Sequence, residues 1–285
     1  MVLLSAIFFM LFGLAMGSFL NVCIARLPRH QSIISPASHC PACGAAIRPS
    51  DNVPLLSWLL LRGRCRSCAW RIPPRYPLVE LSSMFLFLLC GLLWGVSVKS
   101  AGMCLLCFLL LGLAVMDAET LLLPDAFTLP GIVLGVLYSG IVAGWHAAVW
   151  SFVDAIIAGL ALLLLRWLYW MLRRSEGLGL GDVKLLAMIA AWLGPPQTLL
   201  VLFLGTVCTA VFGLALLPFA GKHLAQTKRP RRESVHSKGG PDSSRAASLW
   251  RATALPYGSF LCASAIYAIF MGPQTIRWYL HFFFK

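Results

Sequence analysis

Apolar residues in this chain neither alternate nor keep to one helical stripe. They run on for most of a bilayer thickness at a time, separated by short segments that hold nearly all the charge. A helix that is apolar on every face suits a lipid surround, and about 20 residues cross the hydrocarbon. The runs predict spans at Val2 to Val22, Pro77 to Val98, Ala101 to Met116, Ala126 to Gly144, Ser151 to Leu172, Val183 to Leu193, Gln197 to Ala220 and Pro256 to Met271. The expected fold is an all-α polytopic membrane protein of about eight transmembrane helices. One loop, residues 23–76, is too long and polar to be a simple turn.

Composition agrees with this pattern. Hydrophobic residues make up 59% of the 285 and the mean hydropathy is +0.82, which excludes an ordinary soluble domain. The formal charge of +13, from 23 Lys and Arg against 10 Asp and Glu, would suggest nucleic acid in a soluble protein. Here the basic residues cluster between spans, so they report topology, and no nucleic-acid partner is expected. Placing the N-terminus outside puts the 23–76 loop, Arg173-Arg174 and residues 221–253 in the cytoplasm, leaving only Lys99, Arg277 and Lys285 on the outer side. With no Lys or Arg before it, the first span reads as retained and not as a cleaved signal. Residues 221–253, rich in Lys, Arg, Ser, Gly and Pro, read as a flexible loop facing anionic lipid. The expected division is a first span (1–22), a cysteine loop (23–76), a membrane core (77–220), the basic loop (221–253), and a last span with an outer tail (254–285).

The ten cysteines fall into two groups. Six lie in or beside apolar runs, including Cys104 and Cys107, and read as packing residues. The other four form Cys40-Pro41-Ala42-Cys43 and Cys65-Arg66-Ser67-Cys68 within the polar loop. Two such turns, each aiming a pair of thiolates at one point, predict a tetrahedral zinc site resembling a zinc knuckle. A reducing cytoplasm argues against disulfides there.

Acids are scarce, so their placement is informative. Asp117, Glu119 and Asp125 crowd one inner loop broken by Pro124, and Asp182 follows the Gly177-Leu178-Gly179-Leu180-Gly181 run. Asp182 reads either as a helix cap or as a functional acid at the mouth of a span. The topology brings Asp117, at the end of the third span, and Asp182, at the start of the sixth, to the same membrane face. Two carboxylates sharing a site do not both ionise easily. One then draws a proton from water while the other protonates the substrate carbonyl and leaving amine. The glycines would let an extended peptide lie against the acids. Gly13, Gly17 and Ser18 read as a small-residue seam, and Asn21 as interhelical packing.

These residues resemble a known family. Gly179-x-Gly181-Asp182, paired with Asp117 upstream of Leu123-Pro124-Asp125, is similar to the type IV prepilin peptidases, which are GxGD intramembrane aspartyl proteases. So are Gly17-Ser18-Phe19-Leu20-Asn21-Val22, Asn52-Val53-Pro54-x-x-Ser57, the two Cys-x-x-Cys turns, Arg75-Tyr76-Pro77-x-Val79-Glu80 and Pro256-Tyr257-Gly258. The resemblance implies a bacterial inner-membrane enzyme that cuts leaders from prepilins or pseudopilins of type IV pili or type II secretion. It further implies that the new N-terminus is methylated from S-adenosylmethionine. Asp117 and Asp182 would be the catalytic pair, with Asp125, Gly179, Gly181 and Lys184 supporting them, and Glu80 would go with the methylating cysteine loop. The alternatives are a leader peptidase without methylation, a transporter relaying protons, or a scaffold with a structural zinc loop.

Overall fold

The computed structural model describes residues 2–174, 179–227 and 255–283. It is helical throughout its apolar runs: α1 (Val2–Arg26), α3 (Arg75–Trp94), α4 (Val98–Thr120), α5 (Asp125–Ala143), α6 (Trp145–Arg173), α7 (Leu180–Leu193), α8 (Pro195–Thr227) and α9 (Tyr257–Phe283). A short α2 (Leu56–Leu60) lies in the polar loop. Among the described residues, seven helices are long and apolar enough to cross a membrane. The eighth apolar helix, α7, is shorter and lies deep in the bundle. The protein is a multi-pass membrane protein whose outward Leu, Ile and Phe side chains, such as Leu92, Ile141 and Ile157, suit contact with lipid.

Several boundaries depart from the expected spans: α6 begins at Trp145, through the expected outer turn, and α4 runs past Met116 through Asp117 and Glu119, which were expected in a loop. The helix expected to end at Ala220 continues to Thr227, so the start of the basic loop is helical, and the rest of that loop lies outside the described residues. The last helix passes Met271 and Pro273 to Phe283, taking in much of the expected tail. A proline with more than four turns of helix before it forfeits one bond without ending the helix.

Two seams of small residues set the packing. At Gly13 and Gly17 of α1 an added Cβ would stand 2.8 Å from the Met84 and Glu80 Cα atoms of α3, so the two backbones touch. Ser83 locks the seam by donating to the Gly13 carbonyl at 2.8 Å. On α5, Gly131 and Gly135 receive Met188 and Trp192 of α7. The Trp192 indole donates to the Gly131 carbonyl at 2.8 Å, and Ser151 of α6 donates to the Ala191 carbonyl at 2.6 Å. Helix α7 thus packs on α5, α6, α8 and α9. Gly17→Leu is expected to destabilise the bundle by about 2 kcal/mol or more, the usual range for overpacking a filled interface. Its thermal midpoint in detergent, measured beside that of Gly17→Ala, tests this.

Candidate active site

The two helices that carry the candidate aspartates, α4 and α7, are buried along most of their length. Helix α4 stops one turn after Asp117. Leu121 adopts a left-handed backbone, its N–H closes on the Asp117 carbonyl at 2.9 Å, and Pro124 is extended. The hook from Leu121 to Pro124 turns Leu123 inward. A Cβ on Gly181 would meet the Leu123 Cβ at 2.9 Å, and one on Gly258 would meet Leu123 Cδ1 at 3.0 Å and the Asp117 carboxylate at 3.1 Å. Leu123 therefore wedges between the start of α7 and the start of α9, with Asp117 alongside. The space over Gly181, read from the sequence as room for an extended peptide, is filled by this leucine.

Asp182 does not itself cap α7. Gly179 is the N-cap, and Asp182, the third helical residue, reaches back to the Gly179 N–H in half of a capping box. Gly177 and Leu178 lie outside the described residues. Asp182 lies close enough to Asp117 to feel its charge, and Tyr257 and the buried Cys262 of α9 sense Asp182 as well. The Tyr257 hydroxyl is 3.2 Å from that of Thr206 on α8.

Sequence reasoning missed Ser259. Its N–H donates to Asp117 Oδ2 at 2.6 Å, and its hydroxyl lies 3.0 Å from the same oxygen and 2.8 Å from the Ala114 carbonyl. The hydroxyl has one proton. Facing an ionised Asp117 it donates to the carboxylate; facing a protonated one it accepts and gives its own proton to Ala114. It accommodates either protonation state of Asp117. The signal was its place just after Pro256-Tyr257-Gly258, but only the fold brings residues 142 positions apart together. Ser259→Ala is expected to slow peptide cleavage about tenfold or more, since hydrogen bonds to charged groups are worth roughly 1.5–3 kcal/mol. Cleavage kinetics measured across pH would show a shifted optimum, which mere loosening of the helix would not produce.

The supporting residues divide. Lys184 donates to Asp125 at 2.6 Å in a partly exposed ion pair that ties the start of α5 to α7. Glu80 lies elsewhere, at the start of α3, where its Oε2 accepts the Leu55 N–H at 2.8 Å and the Ser18 hydroxyl hydrogen-bonds to it. Asn21 donates to the Tyr76 carbonyl at 3.0 Å. The Gly17-Ser18-x-x-Asn21 stretch is thus built around Glu80 and Tyr76. An Arg75–Glu119 ion pair links this region to the end of α4, two residues beyond Asp117.

The four loop cysteines come together. Their sulfurs all lie within 4.8 Å of one another, with Cys40 and Cys68 3.8 Å apart. Zn–S bonds of about 2.3 Å in a tetrahedron need sulfurs about 3.8 Å apart, so the donor set fits zinc. The two turns repeat one design. The Cys40 N–H binds the Ala45 carbonyl and the Gly44 N–H returns to Cys40; the Cys65 N–H binds Trp70 and the Ala69 N–H returns to Cys65. Gly44 and Ala69 both hold positive φ, of 70° and 57°. Backbone N–H groups of Cys68 and Ser67 aimed at the Cys65 sulfur bring its thiol down to about 7, while burial and the neighbouring thiols push that of Cys68 up, so one thiol of the set gives up its proton well before the other. Cys90, Cys104 and Cys107 are buried between α3 and α4, as expected of packing residues.

Comparison with known proteins matches two successive segments of the chain. Residues 11–94 match the Bacterial Peptidase A24 N-terminal domain, and residues 104–214 match the Type IV leader peptidase family. The chain is 38% identical over 236 residues to a "Type 4 prepilin-like proteins leader peptide-processing enzyme" of Escherichia coli O78:H11, covering 73% of this chain and 86% of that one. It is 36% identical to a "Prepilin leader peptidase/N-methyltransferase" of Myxococcus xanthus, over 88% of this chain and 73% of the relative. A protein of the same name from Klebsiella pneumoniae is 44% identical, over 68% and 88%. No solved structure matches.

Proposed function

The chain belongs to the type IV leader peptidase family, and on that premise we propose that it removes leader peptides from type IV prepilins or pseudopilins and N-methylates the new terminus. The observation that carries the hydrolytic half is the meeting of Asp117, Asp182 and Ser259 at one end of the bundle, around Leu123. A water shared by the two aspartates loses its proton to the ionised carboxylate and attacks the scissile carbonyl. The protonated partner donates first to the carbonyl oxygen and then to the departing amine, so no covalent enzyme intermediate forms. Asp125 and Lys184 fix α5 against α7 and so hold Asp182 in register with Asp117. The site faces the cytoplasm of the bacterial inner membrane, with the cysteine loop on the same side and the Lys- and Arg-rich residues 221–253 on anionic lipid. No nucleic acid takes part.

The second activity draws on S-adenosylmethionine, which supplies an electrophilic methyl group when bound. The cysteine loop, held by zinc on Cys40, Cys43, Cys65 and Cys68, and Glu80 belong to that half. A transporter would need acids spread through the membrane depth. Apart from Asp154, the described acids gather at one end of the bundle. Mass spectrometry of a prepilin incubated with the purified protein tests the reading. The expected products are a peptide cut after the leader glycine and, only when the methyl donor is added, a mass gain of one methyl group. An uncut substrate overturns the peptidase assignment, and a cut but unmethylated one overturns the second activity alone.

A further inference from the structure

Three glycines and one leucine shape the surface beside the aspartates. A Cβ added to Gly179 would lie 3.2 Å from Asp182 Oδ2, and one added to Gly258 would lie 3.1 Å from the Asp117 carboxylate. Both acids therefore stand against bare backbone. The volume next to them is taken by Leu123. Its Cδ1 comes within 3.2 Å of a Cβ on Gly181 and 3.0 Å of one on Gly258, so one methyl group reaches from the start of α7 to the start of α9. Leu123 is half-buried and packs against the main apolar core, which makes it a wall and not a loose side chain. The hook that carries it is held at both ends. The Leu121 N–H closes on the Asp117 carbonyl at 2.9 Å, and the Pro124 carbonyl accepts the Phe127 N–H at 3.0 Å. The Lys184–Asp125 ion pair pins the same corner to α7.

Peptide geometry decides which substrate residue meets this wall. The water attacks a carbonyl carbon, and the residue that carries this carbonyl has its Cβ two bonds away. The residue after the cut has its Cβ three bonds away, through nitrogen and Cα. A carbonyl held at the two aspartates thus brings the side chain before the cut against Leu123 first. We propose that Leu123 is a specificity-determining residue, which leaves no room for a side chain on the residue before the cut and so restricts that position to glycine. The inference rests on the leader-peptidase reading above and adds the residue that enforces the choice of bond. Glycine brings nothing to meet the leucine. Alanine brings a methyl group into filled space, and larger residues enter only by displacing the hook, which a close-packed site resists. A residue without a side chain offers no group to bond, so it is selected by excluding the others.

Cleavage of a prepilin carrying Gly, Ala or Val before the cut tests this, with kcat/KM measured for the full-length protein and for Leu123→Ala and Leu123→Val. The unaltered protein is expected to favour Gly over Ala by about tenfold or more, the discrimination a single carbon brings. Leu123→Ala should raise the Ala-to-Gly ratio about tenfold or more and admit the Val form. Leu123→Val should move the ratio the same way by less, and it carries the test if the shorter variant does not fold. A leucine that only packs would, when shortened, slow all three substrates alike. An unchanged ratio in a folded variant that still cuts the Gly form overturns the proposal. Loss of all cleavage in folded variants overturns it too, because Leu123 would then serve the hydrolytic step itself. An unaltered protein that cuts none of the three overturns the leader-peptidase reading instead.

Discussion

Asp182→Asn lowers leader cleavage about a thousandfold or more, and Asp117→Asn does the same. Each exchange removes one member of a pair that must take and give a proton, and acid–base participation of this kind is worth roughly 10²–10⁴ in rate. The substitution is close to isosteric. An asparagine at position 117 still offers an oxygen to the Ser259 N–H, and one at position 182 still offers an oxygen to the Gly179 N–H, so both helix ends keep their bonds. The expected proteins are folded by circular dichroism and thermal melting and still bind S-adenosylhomocysteine. A folded variant of either kind that cleaves at the native rate removes the aspartates from the reaction.

Stripping the metal acts on the other half of the molecule. One zinc per chain is the expected content, and its removal should open residues 27–74 to proteolysis. So should replacement of Cys40, Cys43, Cys65 and Cys68 by serine. The loop has only the short α2, two single-turn helices and two isolated bridges, at His39–Ala46 and Arg64–Arg71, to hold it. A loop so sparsely structured should depend on metal binding, worth about 10 kcal/mol or more in comparable small domains. Binding of the methyl donor and methyl transfer should disappear, while leader cleavage persists within about tenfold, because α4, α5, α7 and α9 support the aspartates without the loop. Protons compete with zinc for thiolates, so a chelator should strip the metal faster at about pH 6 than at about pH 8. Limited proteolysis with metal analysis reads both effects. A metal-free protein with an intact loop and full methylation removes zinc from the account.

The spans and the cysteine cluster were legible because each depends on local sequence. Twenty or so apolar residues announce a helix wherever they stand, and a Cys-x-x-Cys turn aims its own thiols. The pairing of the aspartates was legible at one remove, through the alternation of spans that returns Asp117 and Asp182 to one face. Contacts made at long range were not legible. Nothing in the neighbourhood of Ser259 marks it as the partner of an acid 142 positions earlier, and Leu123 looks like one more apolar residue until Gly181 and Gly258 are seen on either side of it. The same holds for Asn21. Its packing role was expected and is present at its amide nitrogen, but its unsatisfied oxygen becomes visible only once the loop closes over it.

Helix α7 has 14 residues and rises about 21 Å, against roughly 30 Å of hydrocarbon. A buried helix that short cannot reach both headgroup layers, so the carboxylate at its N-terminus can stand below the plane where the longer helices emerge. On the proposed mechanism a scissile bond would meet the acids only at that height, making the enzyme a ruler measured from the membrane as well as a reader of sequence. Acyl-chain length would then tune which bond is presented, and the same protein should cut differently in thin and thick bilayers.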